Sequence, residues 1–238
     1  MAENVLVVGA SGGIGAAVSR KLAQEGYKLL LHFNQSRQPV DELREELEGE
    51  SVLAVIQADL TKETEIKRFL TEIVFPVHHI VFASGISHYG LFQETSEDIM
   101  DEMIMLHVKA PWMITKYLLP PMIQEKKGSI IFITSIWGEE GASNEVVYSS
   151  VKGAQNTFVK ALAKETGLSG VRVNAVSPGF IETKMNRQIT EEEKAAIVEE
   201  IPVNRTGRPE EVAQAVNFLM DKAASYIHGE IINVTGGW

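Results

Sequence analysis

A doubly wound α/β domain, with one seven-stranded parallel sheet and helices on both faces, is what this sequence predicts. Three observations carry the prediction. Short apolar runs alternate with stretches of helical length along the whole chain. The runs are continuously apolar rather than alternating, as burial on both faces of a strand requires. A glycine-rich turn joins the first run to the first helix.

The first strand is NVLVVG (4–9), and the first helix runs from Gly13 to about Glu25, where Gly26 stops it. KLLLHF (28–33) is the second strand. PVDELREELEG (39–49) opens on Pro and acids and ends in Gly, the punctuation of a helix. SVLAVIQADL is the third strand, KETEIKRFLTEI the third helix and HHIVFASG the fourth strand. A long helix is expected over about 96–125. GSIIFITSI is the fifth strand, a helix follows over about 145–166, and VRVNAVSPG and EIINVTGG are the sixth and seventh strands. Strands spaced by such helices form right-handed crossover units, hence a parallel sheet. The irregular span, about 180–208, carries the charged stretch TEEEKAAIVEE. It is either a solvated surface helix or a lid over the carboxyl edge of the sheet, where such folds bind ligands.

The totals fit one domain over 1–238. With no cysteine, disulfides and thiolate metal sites are excluded, no metal is expected, and a cytoplasmic setting is natural. The start MAENVLVVGASGG lacks a basic n-region, and no apolar run reaches membrane-spanning length. A net charge of −10 argues against nucleic acid as a partner, since phosphate binding needs clustered Lys and Arg.

Gly9, Gly13 and Gly15 in GASGGIG let the backbone turn sharply and come close to a ligand. The helix that follows offers N–H groups and its positive dipole end to a pyrophosphate. The second strand ends in HFNQSR, with no acid before Asp41. An acid there would bind a ribose 2′-hydroxyl and repel a 2′-phosphate. Asn34, Ser36 and Arg37 can instead hold that phosphate, which points to NADP. Further on, Tyr148 and Lys152 in YSSVK lie four residues apart, on one helix face. The apolar stripe of that helix, Val147, Val151, Ala154, Phe158 and Ala161, packs inward and leaves the pair at its edge, bordering a cleft.

Taken together, GASGGIG, Ser135, Tyr148, Lys152 and SPGFIET (177–183) resemble the short-chain dehydrogenase/reductase family over essentially the whole chain. The C-terminal third, with PGFIETKM, IPVNRTGRPEEVAQAVNFL and SYIHGEIINVTGG, is most similar to 3-oxoacyl-[acyl-carrier-protein] reductases of fatty acid synthesis. The resemblance implies a Rossmann-type fold, carbonyl reduction, NADPH as hydride donor and a homotetramer. It implies Ser135, Tyr148 and Lys152 as catalytic residues, with Tyr148 and Lys152 also beside the nicotinamide ribose. It extends the cofactor lining to Ser11, Ile14, Asp59 and Leu60, to Ala83, Ser84 and Gly85, and to Pro178, Gly179, Ile181 and Thr183.

The chemistry matches. Carbonyl reduction needs a hydride on carbon and a proton on oxygen. A Lys⁺ beside a tyrosine favours its phenolate and lowers its pKa. Ser135 can hydrogen-bond the carbonyl oxygen.

Three departures matter. The family's NNAG appears as FASG (82–85), without either asparagine. The catalytic asparagine falls on His107, whose side chain is either a spectator or a member of the proton relay. Pro111 has no N–H to bond the His107 carbonyl, so the helix should open there, leaving that carbonyl for the relay water the family holds at this point. The basic residues that dock acyl carrier protein fall on Ser129 and Ser169, with Lys126, Lys127 and Arg172 nearby. The leading reading is a 3-oxoacyl thioester reductase. The alternatives are a reductase of a ketone or aldehyde not carried on acyl carrier protein, and a non-catalytic dinucleotide sensor, against which Ser135, Tyr148 and Lys152 speak.

Overall fold

The computed structural model describes residues 2–47, 51–183, 186 and 189–238. Gly49, the expected stop of the second helix, and Lys184 and Met185 of PGFIETKM lie outside them. Seven strands are present among the described residues: β1 (Asn4–Val8), β2 (Lys28–Phe33), β3 (Val52–Gln57), β4 (His79–Phe82), β5 (Gly128–Ile133), β6 (Val171–Pro178) and β7 (Ile231–Val234). They form one sheet in the order β3-β2-β1-β4-β5-β6-β7, and every pairing is parallel. The chain winds outward from β1 to β3 and then crosses to β4. The order thus reverses between β1 and β4, and a crevice opens beyond their carboxyl ends.

Continuous apolar runs pay off on both faces. On one face Leu6, Ile80, Ile130 and Phe132 pack with Phe69, Ile114 and Val159 from α3 (Glu63–Glu72), α5 (Ala110–Glu125) and α6 (Val146–Thr166). On the other, Val5, Val7, Val81 and Ile131 pack with Val18, Leu22, Val216 and Leu219 from α1 (Gly13–Gln24) and α8 (Pro209–Met220). Successive residues of a strand point to opposite faces, so each run supplies both cores. The remaining helices are α2 (Gln38–Glu46), α4 (Glu97–Ile104) and α7 (Glu191–Glu200).

Two elements differ from the expectation. The helix α8 was not assigned from sequence, although Pro209 in its first turn, Glu210 and Glu211 behind it, and buried Val212, Ala213, Val216, Leu219 and Met220 are a full helical signature. The long helix over 96–125 is not continuous. Between α4 and α5, residues Met105–Lys109 form a π-helical turn, in which the Ala110 N–H bonds the Met105 carbonyl five residues back. Pro111 follows at once. The opening read from Pro111 is therefore present. In the span 180–208, α7 starts at a capping box between Thr190 and Glu193 and buries no residue. Behind it Ile201 is buried and the Val203 N–H bonds Gly236 O at 3.2 Å, so the segment is anchored beside the end of β7.

Candidate active site

The crevice between β1 and β4 is floored by the glycine turn. Gly9 has φ +91°, and a Cβ there would sit 2.5 Å from the Ser84 nitrogen. Ala83, Ser84 and Gly85 thus lie directly against the turn, and the Ala83 N–H bonds Val8 O at 2.8 Å. Gly15, at the start of α1, faces the Gly9 carbonyl so closely that a Cβ would overlap it. Gly15→Ala is expected to lower unfolding free energy by about 1–3 kcal/mol and to weaken dinucleotide binding, read by urea unfolding and by cofactor fluorescence titration. Gly12 offers no side chain to cap α1, so the first-turn N–H groups face the crevice without a side-chain partner. Ser11 and Ile14 flank the turn, half-buried. Thr183 leans over Gly13 and brings the segment after β6 to the same place. The residues fit a nicotinamide dinucleotide: a close backbone cradle, an uncapped helix N-terminus, and a wall from 177–183.

One member of this floor was not read from sequence. His32, at the end of β2, is buried, and its Nδ1 accepts the Gly9 N–H at 3.1 Å. Its Nε2 therefore carries the proton and donates to Ala58 O at 3.0 Å. The ring stitches the ends of β1, β2 and β3 together, and burial pushes its pKa down to about 4.

Beyond the carboxyl end of β2, Asn34 is half-buried and Ser36 and Arg37 are exposed. The Arg37 Nε donates to Asp41 at 3.1 Å. Asp59 caps its own turn: its carboxylate accepts from the Thr61 N–H at 3.1 Å and hydroxyl at 2.6 Å, and pairs with Lys62 at 2.9 Å. These partners outweigh the effect of burial and hold its pKa below the usual carboxylate value. The Leu60 side chain is 2 % exposed and belongs to the core, so only its backbone can face a ligand. Pro178 ends β6, Gly179 hydrogen-bonds Val234 O, and Ile181 is buried in a bridge with Gly207.

Ser135, Tyr148 and Lys152, the side chains expected to react, gather at the carboxyl end of β5. Ser135 starts a short turn after it, and the Trp137 N–H donates to Ser135 Oγ at 3.3 Å. Trp137 in turn meets Trp238 edge to face at 5.2 Å, a contact over a hundred residues of chain. The Tyr148 hydroxyl lies near the Ser135 side chain. Lys152 is 3 % exposed; its Nζ lies 5.6 Å from the Tyr148 ring and donates to Ile133 O at 2.9 Å. It also donates to Gln155 Oε1 at 3.3 Å.

The expectation that Lys152 lowers the Tyr148 pKa is not met in this state. Burial pushes Tyr148 up to about 12, and the nearby Ser135 side chain only partly opposes it. Burial also brings Lys152 down to about 7, with Nζ turned to backbone and amide oxygens. With its charged form disfavoured by burial and its Nζ aimed at other oxygens, Lys152 does not offset the desolvation of the phenol.

His107 sits at the centre of the π-helical turn, fully buried. Its Nε2 lies 2.9 Å from Ile86 O and 3.2 Å from Ile86 N. Donation to the carbonyl leaves an unpartnered Nδ1 acceptor rather than an unpartnered N–H, the cheaper arrangement. The ring meets Tyr148 edge to face at 5.8 Å, and burial, then Lys152, push its pKa down to about 3. FASG thus regains a tie through the His107 ring to the Ile86 backbone. The His107 carbonyl is not open as expected from Pro111: it accepts Gln155 Nε2 at 2.8 Å.

The docking positions also move. Ser129 is the second residue of β5 while Ser135 follows its end, so six residue steps of extended chain separate them by about 20 Å. Ser129 is buried and bonds Arg172, whose guanidinium is also taken by the carbonyls of Leu219, Met220 and Ala224. Lys127 pairs with Glu3. These groups lie at the amino end of the sheet, opposite the crevice. Among the described residues, no group of His, Asp and Glu could hold a metal, and no helix is long and apolar enough to cross a membrane.

A family model described as enoyl-(acyl carrier protein) reductase matches residues 9–238. YmfI of Bacillus subtilis, an uncharacterised oxidoreductase, is 48% identical over all of this chain and 99% of its own. The 3-oxoacyl-[acyl-carrier-protein] reductase FabG of Aquifex aeolicus is 36% identical over 98% of this chain and 95% of its own. Among solved structures, a provisionally named NAD(P)-dependent gluconate 5-dehydrogenase from Beutenbergia cavernae, with NADP bound at low occupancy, superposes with a TM-score of 0.93. It is 30% identical and covers 99% of this chain and 96% of its own.

Proposed function

The chain belongs to the short-chain dehydrogenase/reductase family of oxidoreductases, and from that premise we propose that it reduces the keto group of a 3-oxoacyl thioester with NADPH. The observation that carries the reading is the gathering of Ser135, Tyr148 and buried Lys152 at the carboxyl end of β5, with Lys152 Nζ 5.6 Å from the Tyr148 ring and bonded to Ile133 O. The FabG relatives support the thioester. Asn34, Ser36 and Arg37, with no acid before Asp41, support the 2′-phosphate of NADP. Bound NADPH would supply the hydride.

The chain's own residues would do the rest. Ser135 Oγ holds the carbonyl oxygen, and Tyr148 donates its hydroxyl proton to that oxygen as negative charge grows on it. A phenol kept neutral by burial is charged with the proton the step consumes. Lys152 supplies positive charge beside the phenolate left behind. His107 acts by position, holding the loop at Ile86, because a ring so hard to protonate is a poor proton carrier near neutral pH. Exposed Trp112 and Tyr117 on α5, with Trp112 against Phe158 of α6, support self-association, of which a homotetramer is the form the family likeness implies.

A second reading is a ketone or aldehyde not carried on acyl carrier protein. The placement of Ser129, Arg172 and Lys127 at the amino end of the sheet favours it, as does the gluconate dehydrogenase neighbour. NADPH oxidation should be followed with acetoacetyl thioesters, on coenzyme A and on acyl carrier protein, beside small ketones, aldehydes and keto sugars. The highest kcat/KM is expected on a thioester. Turnover of free carbonyls alone would establish the second reading, and a higher turnover with a lower KM for NADH would overturn the cofactor choice.

A further inference from the structure

Gln155 sits one turn beyond Lys152 on α6, on the same helix face, and is 4 % exposed. Its two amide atoms face different partners. Oε1 accepts from Lys152 Nζ at 3.3 Å, and Nε2 donates to the His107 carbonyl at 2.8 Å. An ammonium only donates and a carbonyl only accepts, so the amide has one possible orientation. The carbonyl is available because Pro111, four residues on, has no N–H to give it. A buried amide with both ends satisfied by buried partners is held rigidly.

The geometry points to Gln155 as a positioning residue that fixes Lys152 against the π-helical turn and, through the acceptor strength of its oxygen, sets how readily Lys152 keeps its charge beside Tyr148. Other titratable groups around Lys152 are Tyr148 on α6, Glu145 at its N-cap and His107 on the π-helical turn; Ile133 at the end of β5, with Thr134 and Ser135 after it, adds no titratable side chain. None of them places a carboxylate on Nζ. Burial alone brings Lys152 to the edge of neutral pH, where the loss or strengthening of one acceptor changes its protonation. The functional part of this inference rests on Tyr148 and Lys152 being the reacting pair.

Two variants separate this role from simple packing. Gln155→Met keeps length and removes the acceptor. Gln155→Glu keeps the shape and puts an anionic acceptor on Nζ. The Lys152 titration is read by NMR of the full chain labelled with ¹³C at lysine Cε, its signal assigned by loss in Lys152→Met. The midpoint should fall by about half a pH unit or more in Gln155→Met and rise by at least as much in Gln155→Glu. The alkaline limb of kcat/KM for reduction should move in the same two directions. Loss of packing would move both variants the same way. Unchanged midpoints, or shifts of one sign, overturn the inference. Should Gln155→Met not fold, Gln155→Leu serves the same comparison. The NMR readout needs no turnover, so an inactive wild-type enzyme with opposite midpoint shifts would sink the reductase reading and leave the role of Gln155 standing.

Discussion

Tyr148→Phe should lower kcat for carbonyl reduction by about 10²–10⁴-fold and leave dinucleotide affinity nearly unchanged. The substitution keeps the ring and its edge-to-face contact with His107, and removes only the hydroxyl near Ser135. What disappears is the proton donor, an interaction made as charge reaches the carbonyl oxygen. Hence kcat and kcat/KM should fall together. The loss corresponds to about 3–5 kcal/mol of transition-state stabilisation. Because burial holds the phenol near 12, wild-type reduction should not weaken through loss of the Tyr148 proton until well above neutral pH. Stopped-flow NADPH oxidation, with cofactor binding measured separately, checks both halves. A Tyr148→Phe enzyme with more than about a tenth of wild-type kcat would remove Tyr148 from the chemistry.

How much of this was legible in the sequence depends on the range of the interaction. The strands were legible because burial on both faces writes each as an unbroken apolar run, as in Val5–Val8 and Ile130–Ile133. The π-helical turn was legible in part, because Pro111 acts on a carbonyl only four residues away. Its consequence was not, since the amide that takes the His107 carbonyl comes from 48 residues further on. His32 escaped for the same reason: its partners Gly9 and Ala58 are 23 and 26 residues distant. Trp238 meets Trp137 from the far end of the chain. The helix α8 was legible and passed over, its apolar spacing lying inside a stretch read for likeness instead. The docking positions failed differently. Likeness supplied a place in the alignment for Ser129, whereas the length of β5 already puts it at the opposite end of the strand from Ser135.

Lowering the pH from 7.5 to 5 should cost about 4 kcal/mol of unfolding free energy, about 2 from each of His32 and His107. Both rings are buried and neutral in the native state, with pKa values pushed down to about 4 and about 3, chiefly by burial. In the unfolded chain each titrates near 6.5. Below that value the unfolded state binds protons that the native state refuses, so stability falls as pH falls. The stabilisation is fully present above about 6.5 and drains away until the folded pKa values are reached. His79, also lowered by burial, adds to the slope in the same sense; the remaining groups do not produce it. The strongly lowered carboxylates, Glu63 and Glu211, lie near 2 and lose their contribution only below the ordinary carboxylate range. Lys152, lowered to about 7, weakens the fold between its unfolded value and 7 and adds little below that. Glu145, raised by burial, works weakly in the opposite sense. Urea unfolding at pH 7.5, 6 and 5 reads the slope directly, and the same series on His32→Gln and His107→Gln apportions it. Each variant should lose its own share of the pH dependence, about 2 kcal/mol, whatever its stability at pH 7.5. A wild-type midpoint that does not move between pH 7.5 and 5 would mean that neither ring is held neutral, and the stitch from His32 to Gly9 beneath the dinucleotide crevice would have to be redrawn.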